Sequence, residues 1–121
     1  MANELTIPPE ALTHRSVEMI RVWLANQRQH VVLNIGFWED RGLDERKAWG
    51  IVIADMIHHI ANAHQAEYGR DPKKTVAIIR RSIKAEMDHP TTERMGEFVR
   101  QKRDEADPQP RRHRARRPRD E

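Results

Sequence analysis

The sequence predicts an α+β fold: a β-hairpin packed against two long α-helices, with the sheet completed or its second face buried in a homodimer. Three observations carry that prediction. Val31, Leu33, Ile35 and Phe37 alternate with His30, Val32, Asn34 and Gly36, the period-2 pattern of a strand rich in β-branched residues. Two later segments carry both start and stop signals for helices. The first of these segments is apolar on two sides, as in a helix held between two surfaces.

In chain order, residues 1–12 read as an extended arm. Pro8 and Pro9 fix φ and push Ile7 toward extended geometry, so no regular helix begins before about Glu10. A single folded domain is expected over residues 13–92. Its first strand is placed near 18–25, where Ile20, Val22 and Leu24 alternate with Arg21 and Trp23. A helical reading of the same stretch, with Val17, Ile20 and Leu24 on one face, stays open. The second strand is placed near 29–37, and the polar Asn26-Gln27-Arg28-Gln29 between them suits a hairpin connection, although it lacks the Asn-Gly pair that specifies one most strongly.

Gly42 closes the second strand at a position suited to positive φ. Asp44 then caps a helix over 45–68 that Gly69 ends. Asp71 and Pro72 start a second helix over 72–88, with Val76, Ile79, Ile83 and Met87 on one stripe and Pro90 beyond its end. Trp49, Val52, Ile53, Met56, Ile57 and Ile60 form the main apolar arc of the first helix, while Ile51 and Ala54 lie on the far side. Gly50 costs about 1 kcal/mol against alanine inside a helix, and is expected to permit close packing against the hairpin or a partner chain. Residues 93–106 read as a weakly helical linker. Residues 107–121 contain three of the seven prolines and no apolar residue larger than alanine, the composition of a disordered tail.

Charge is unevenly spread. Residues 1–101 balance 14 basic against 14 acidic side chains, and residues 102–121 carry 8 against 5, which supplies the whole net charge of +3. With no cysteine in the 121 residues there is no disulfide framework and no thiolate chemistry, and a cytoplasmic setting fits. No signal peptide is readable at the N-terminus. The longest apolar runs, four or five residues, fall far short of the roughly 20 needed to cross a bilayer.

Chemistry has few places to sit. On the first helix Asp55, His58, His59 and Asn62 share the polar face; Asp55 stands i,i+3 from His58 and i,i+4 from His59, spacings at which side chains meet. Such a group could bind a small ligand, but a structural polar network is the blander account. The i,i+4 histidine pair typical of helical metal sites does not occur, so neither a metal nor a cofactor is implied. Glu39, Asp40, Asp44 and Glu45 gather at a helix N-terminus, where acids serve as caps and meet the positive end of the helix dipole. Trp23, Trp38 and Trp49 read as core or interface anchors. Arg111, Arg112, Arg114, Arg116, Arg117 and Arg119 would draw polyanions in a salt-dependent, sequence-independent way. With no aromatic among them, nucleic acid has no stacking platform and is expected to bind only weakly.

The runs EMIRVW, HVVLNIGFWED, AWGIVIADMIHHIANA and AEMDHPT together resemble a bacterial family, domain of unknown function 5076, found mainly in alphaproteobacteria. The resemblance spans roughly residues 5–92, with Trp49, Gly50, Asp55, His59, Pro90 and Thr91 at matching positions. It implies one compact domain and a bacterial cytoplasmic setting, and assigns no activity. The reading as a whole is a homodimeric interaction or accessory module rather than an enzyme, with an unidentified protein as a further partner. A ligand-binding protein using Asp55, His58, His59 and Asn62 is the alternative, and polyanion binding through the arginine tail a third.

Overall fold

The computed structural model describes residues 4–91 and 94–100, and the expected α+β architecture is present. Its regular elements are β1 (Ile20–Ala25), β2 (Arg28–Ile35), α1 (Glu45–Tyr68), α2 (Pro72–Asp88) and β3 (Arg94–Arg100). The strands form one sheet in the order β1-β2-β3, with β1 antiparallel and β3 parallel to β2. A region expected to be a weakly helical linker thus provides a strand at 94–100. The segment Arg94-Met95-Gly96-Glu97-Phe98-Val99-Arg100 alternates only loosely, and its β geometry comes from an existing edge, β2, rather than from its own pattern.

The hairpin is tighter than the polar linker suggested. Asn26 (φ 54°) and Gln27 (φ 62°) alone connect Ala25 to Arg28, both in the left-handed region, as a two-residue turn with the twist of the flanking strands requires. Asn adopts this geometry readily, whereas Gln27 occupies the position that glycine fills best. Cross-strand pairs then set the two faces. Ile20, Val22 and Leu24 on β1, Val31, Leu33 and Ile35 on β2, and Phe98 on β3 share one. Arg21, Trp23, His30, Val32, Asn34, Glu97 and Val99 share the other. Gly96 sits opposite Val31, where an added Cβ would strike the Val31 carbonyl oxygen. A side chain there would separate β3 from β2.

Capping defines the helices much as the sequence indicates. The Asp44 side chain accepts the Arg46 backbone N–H at 3.1 Å, and Gly69, at φ 70°, closes α1 by donating to the carbonyl of Gln65. Asp71 stands at the N-cap of α2 without a side-chain capping bond, and Pro72 supplies the start. Beyond the other end, Thr91 turns back on the helix, its backbone N–H and hydroxyl donating to the Glu86 carboxylate at 2.6 and 2.9 Å.

Contact between elements is concentrated within the sheet and within the α1–α2 pair, with no comparable approach of either helix to the sheet. The two helices meet along the side of α1 that carries Ile57, Ala61 and His64, none of which is exposed. A second apolar stripe of α1, Ile53, Met56 and Ile60, is 40–46% exposed. On the sheet, Val22, Leu24 and Phe98 are exposed at 47, 81 and 67%. Among the described residues Ala61 is the one buried large or small hydrophobic side chain. Gly50, expected to allow close packing, has nothing beyond its chain neighbours and its own helix backbone within 4 Å of where its Cβ would lie, so the hairpin does not occupy that space.

Candidate functional site

The polar face of α1 presents its residues to solvent. Asp55, His58, His59 and Asn62 are all exposed, and among the described residues no side-chain hydrogen bond or ion pair links them to each other or to another group. The helix brings them to one face, as their spacing requires, and among the described residues no hydrogen bond orients them. His64 lies apart, its Nδ1 3.0 Å from the Arg70 guanidinium and its ring against Tyr68. Among the described residues no three His, Asp or Glu side chains are grouped as a metal would require. The six tail arginines, Arg111 to Arg119, lie outside the described residues.

The densest polar arrangement is elsewhere, where β2 turns into α1. Glu45, the first residue of α1, is 5% exposed. Its carboxylate accepts the backbone N–H of Gly36 at 3.0 and 3.1 Å to its two oxygens and that of Trp38 at 3.2 Å. One turn along the helix, Trp49 donates its indole Nε1–H to the same carboxylate at 3.3 Å. The Glu45 backbone N–H in turn donates to Glu39 Oε2 at 3.1 Å. A buried carboxylate is costly unless hydrogen-bonded; here both oxygens are engaged by N–H donors that the bend in the chain would otherwise leave without acceptors.

Aromatic rings and an ion pair enclose this junction. Trp38 meets Trp49 edge-on at 5.5 Å between centroids, and Phe37 meets Trp38 in the same manner at 5.6 Å. Arg100, the last residue of β3, reaches across to Asp40 with two bonds of 2.8 and 3.2 Å and donates to the Ile35 carbonyl at 3.4 Å. Hydrogen bonding to Asp40 raises the Arg100 pKa further above its ordinary value, against partial burial. The guanidinium lies over Gly36, whose φ of 104° and missing Cβ leave it room; a Cβ there would run into Arg100.

All four acids of the turn are therefore accounted for, but not in one role. Asp44 caps α1, and its pKa is held below the ordinary carboxylate value by hydrogen bonds from the Arg46 side chain and backbone. Glu39 caps the Glu45 N–H, and Asp40 pairs with Arg100. Glu45 is the exception, because it turns inward. In the sequence it is one more acid at a helix start; its signal is the i,i+4 spacing to Trp49 next to a glycine-containing strand exit. With its lone pairs occupied by fixed donors, this carboxylate acts as a brace and offers no free oxygen to a substrate.

An open groove of about 540 Å³ lies between the N-terminal arm and β1, lined by Leu5, Ile7, Leu12, Ile20 and Val22. Its charged members pair with one another: Arg21 holds Glu18 through two bonds of 2.9 Å and approaches Glu4 at 3.9 Å. That pairing raises the Arg21 pKa, chiefly through its hydrogen bond with Glu18.

The profile of one protein family, described as "Domain of unknown function (DUF5076)", matches residues 4–91. The chain belongs to the DUF5076 family. The match takes in the arm, the hairpin, the Glu45 junction and both helices, and stops before β3. No curated protein matches the chain. A solved structure from the photosynthetic bacterium Rhodopseudomonas palustrus CGA009, provisionally described as a pyruvate dehydrogenase, is similar over 77% of this chain and 91% of its own, with a TM-score of 0.59 and 17% identity. At that identity the likeness extends the DUF5076 fold to a second chain and carries no activity with it.

Proposed function

We propose that this DUF5076 chain is a homodimeric interaction module, a cytoplasmic accessory protein without catalytic activity of its own. The observation that carries the reading is the apolar surface left open on both halves of the fold. The sheet face bearing Val22, Leu24 and Phe98 and the α1 stripe of Ile53, Met56 and Ile60 are each 40% exposed or more. Large apolar side chains left open on both a sheet face and a helix stripe support a protein–protein contact. The best-organised polar site, around Glu45, is saturated by its own backbone and by Trp49, which suits a scaffold better than an active centre.

Among the described residues no helix is long and apolar enough to cross a membrane, so the open apolar surface is not read as a membrane span. The cysteine-free sequence supports a reducing, cytoplasmic setting. The test is the molar mass by light scattering across a range of concentrations. The reading expects about twice the 14.3 kDa of one chain. A monomeric mass at every concentration refutes it.

A further inference from the structure

We infer that the two copies associate reciprocally, the α1 stripe of each chain covering the apolar sheet face of the other. This deepens the homodimer reading above and rests on it. The topology makes the first argument. β2 and β3 are parallel neighbours joined through α1 and α2. Parallel strands linked by helices are normally covered by those helices, because their faces are apolar and both need burial. In this chain the cover is not in place: contact is confined mainly to strand with strand and helix with helix. A sheet face bordered only at β1 by the N-terminal arm, and a helix stripe that meets no sheet, are thus present together in every copy.

The two surfaces also match in chemistry and size. Val22, Val31, Leu33 and Phe98 form an uncharged centre on the sheet, and the α1 stripe of Ile53, Met56 and Ile60 has no charge within it. Ile83 and Met87 on α2 are also open, at 40 and 78% exposure. At these exposures the two surfaces leave open on the order of 900 Å² per chain, close to the roughly 800 Å² that one partner contributes to a stable interface. Gly50 fits the same account, since no other element of its own chain fills the space beside it. A two-fold pairing uses both surfaces twice and leaves neither over, as an isologous interface requires.

The chain has no cysteine, which allows a direct test. Met56→Cys and Val22→Cys chains carrying different affinity tags are co-expressed in the otherwise full-length protein and treated with a short bis-maleimide. The expected product is a covalent heterodimer of the two variants, with little linkage in either variant alone. Linkage of Met56→Cys to itself would place α1 against α1 and overturn the reciprocal arrangement. A dimeric mass with no heterodimer cross-link would also overturn it, while leaving the homodimer intact. A monomeric mass would remove both. Both substitutions are at exposed positions, and a cooperative melt of each variant confirms that it has folded.

Discussion

Replacing Glu45 by glutamine removes one negative charge and turns one of two acceptor oxygens into a donor, with almost no change of shape. If the amide oxygen takes the position of Oε1, the bonds from Gly36 and Trp38 survive as neutral ones, weaker by about half than those to a carboxylate. The amide nitrogen then faces the Trp49 indole N–H, and a buried donor is left without an acceptor at a cost of about 1–3 kcal/mol. The opposite orientation sets the amide nitrogen against the two backbone donors and is worse. Glu45→Gln should therefore destabilise the fold by about 2–4 kcal/mol, a large part of the 5–15 kcal/mol typical of a native protein. Urea denaturation at one fixed protein concentration measures it, as a fall in midpoint at constant slope. A double-mutant cycle identifies the cause: in a Trp49→Phe background the opposing donor is gone, and the Glu45→Gln cost should shrink by about 1 kcal/mol or more. A Glu45→Gln effect within about 0.5 kcal/mol, the range of an ordinary surface change, would refute the brace.

Gln27→Gly should stabilise by up to about 1 kcal/mol, because φ of 62° is free of strain for glycine; an unchanged melting temperature would count against the turn. Gly36→Ala should cost more than about 1 kcal/mol through its positive φ and its collision with Arg100. Adding Arg100→Ala should recover the collision part and not the backbone part, as a four-variant melting series would show. Asp44 has a depressed pKa, so its stabilising contribution is complete above the ordinary carboxylate value of about 4 and is lost as pH falls below it. Asp44→Asn keeps a capping acceptor but cannot ionise, and its acid unfolding profile should be flatter below that pH. His59→Ala should leave the melting temperature insensitive to added metals and metabolites, as in the parent protein, and any ligand-dependent rise that the substitution abolishes would revive the α1 polar face as a site.

The sequence made the helices legible because their signals are local. Asp44, Gly69, Pro72 and Pro90 fix ends through backbone geometry that needs no knowledge of the rest of the chain. The Val31–Ile35 alternation identified β2 for the same reason. β3 was not legible, since Arg94–Arg100 becomes a strand by pairing with an edge more than 60 residues earlier, and Gly96 is needed there for contact with Val31 rather than for any local turn. The candidate site divides along the same line. Helical spacing correctly placed Asp55, His58, His59 and Asn62 on one face. It carried no information about Glu45, whose role depends on the chain folding back so that the N–H groups of Gly36 and Trp38 converge on it. Arg100 reaching Asp40 is likewise a product of tertiary structure alone.

If a second copy completes the core that one copy leaves open, as proposed above, folding and association are coupled. The most direct measurement is the thermal unfolding midpoint as protein concentration is raised over about two orders of magnitude. A dimer whose folding is coupled to association melts higher as concentration rises, by mass action. The midpoint should rise in this way, and the rise should be lost in a Leu24→Asp or Ile53→Asp chain. A midpoint independent of concentration, with a cooperative transition and a monomeric mass, would show that the single chain is sufficient and contradict the account.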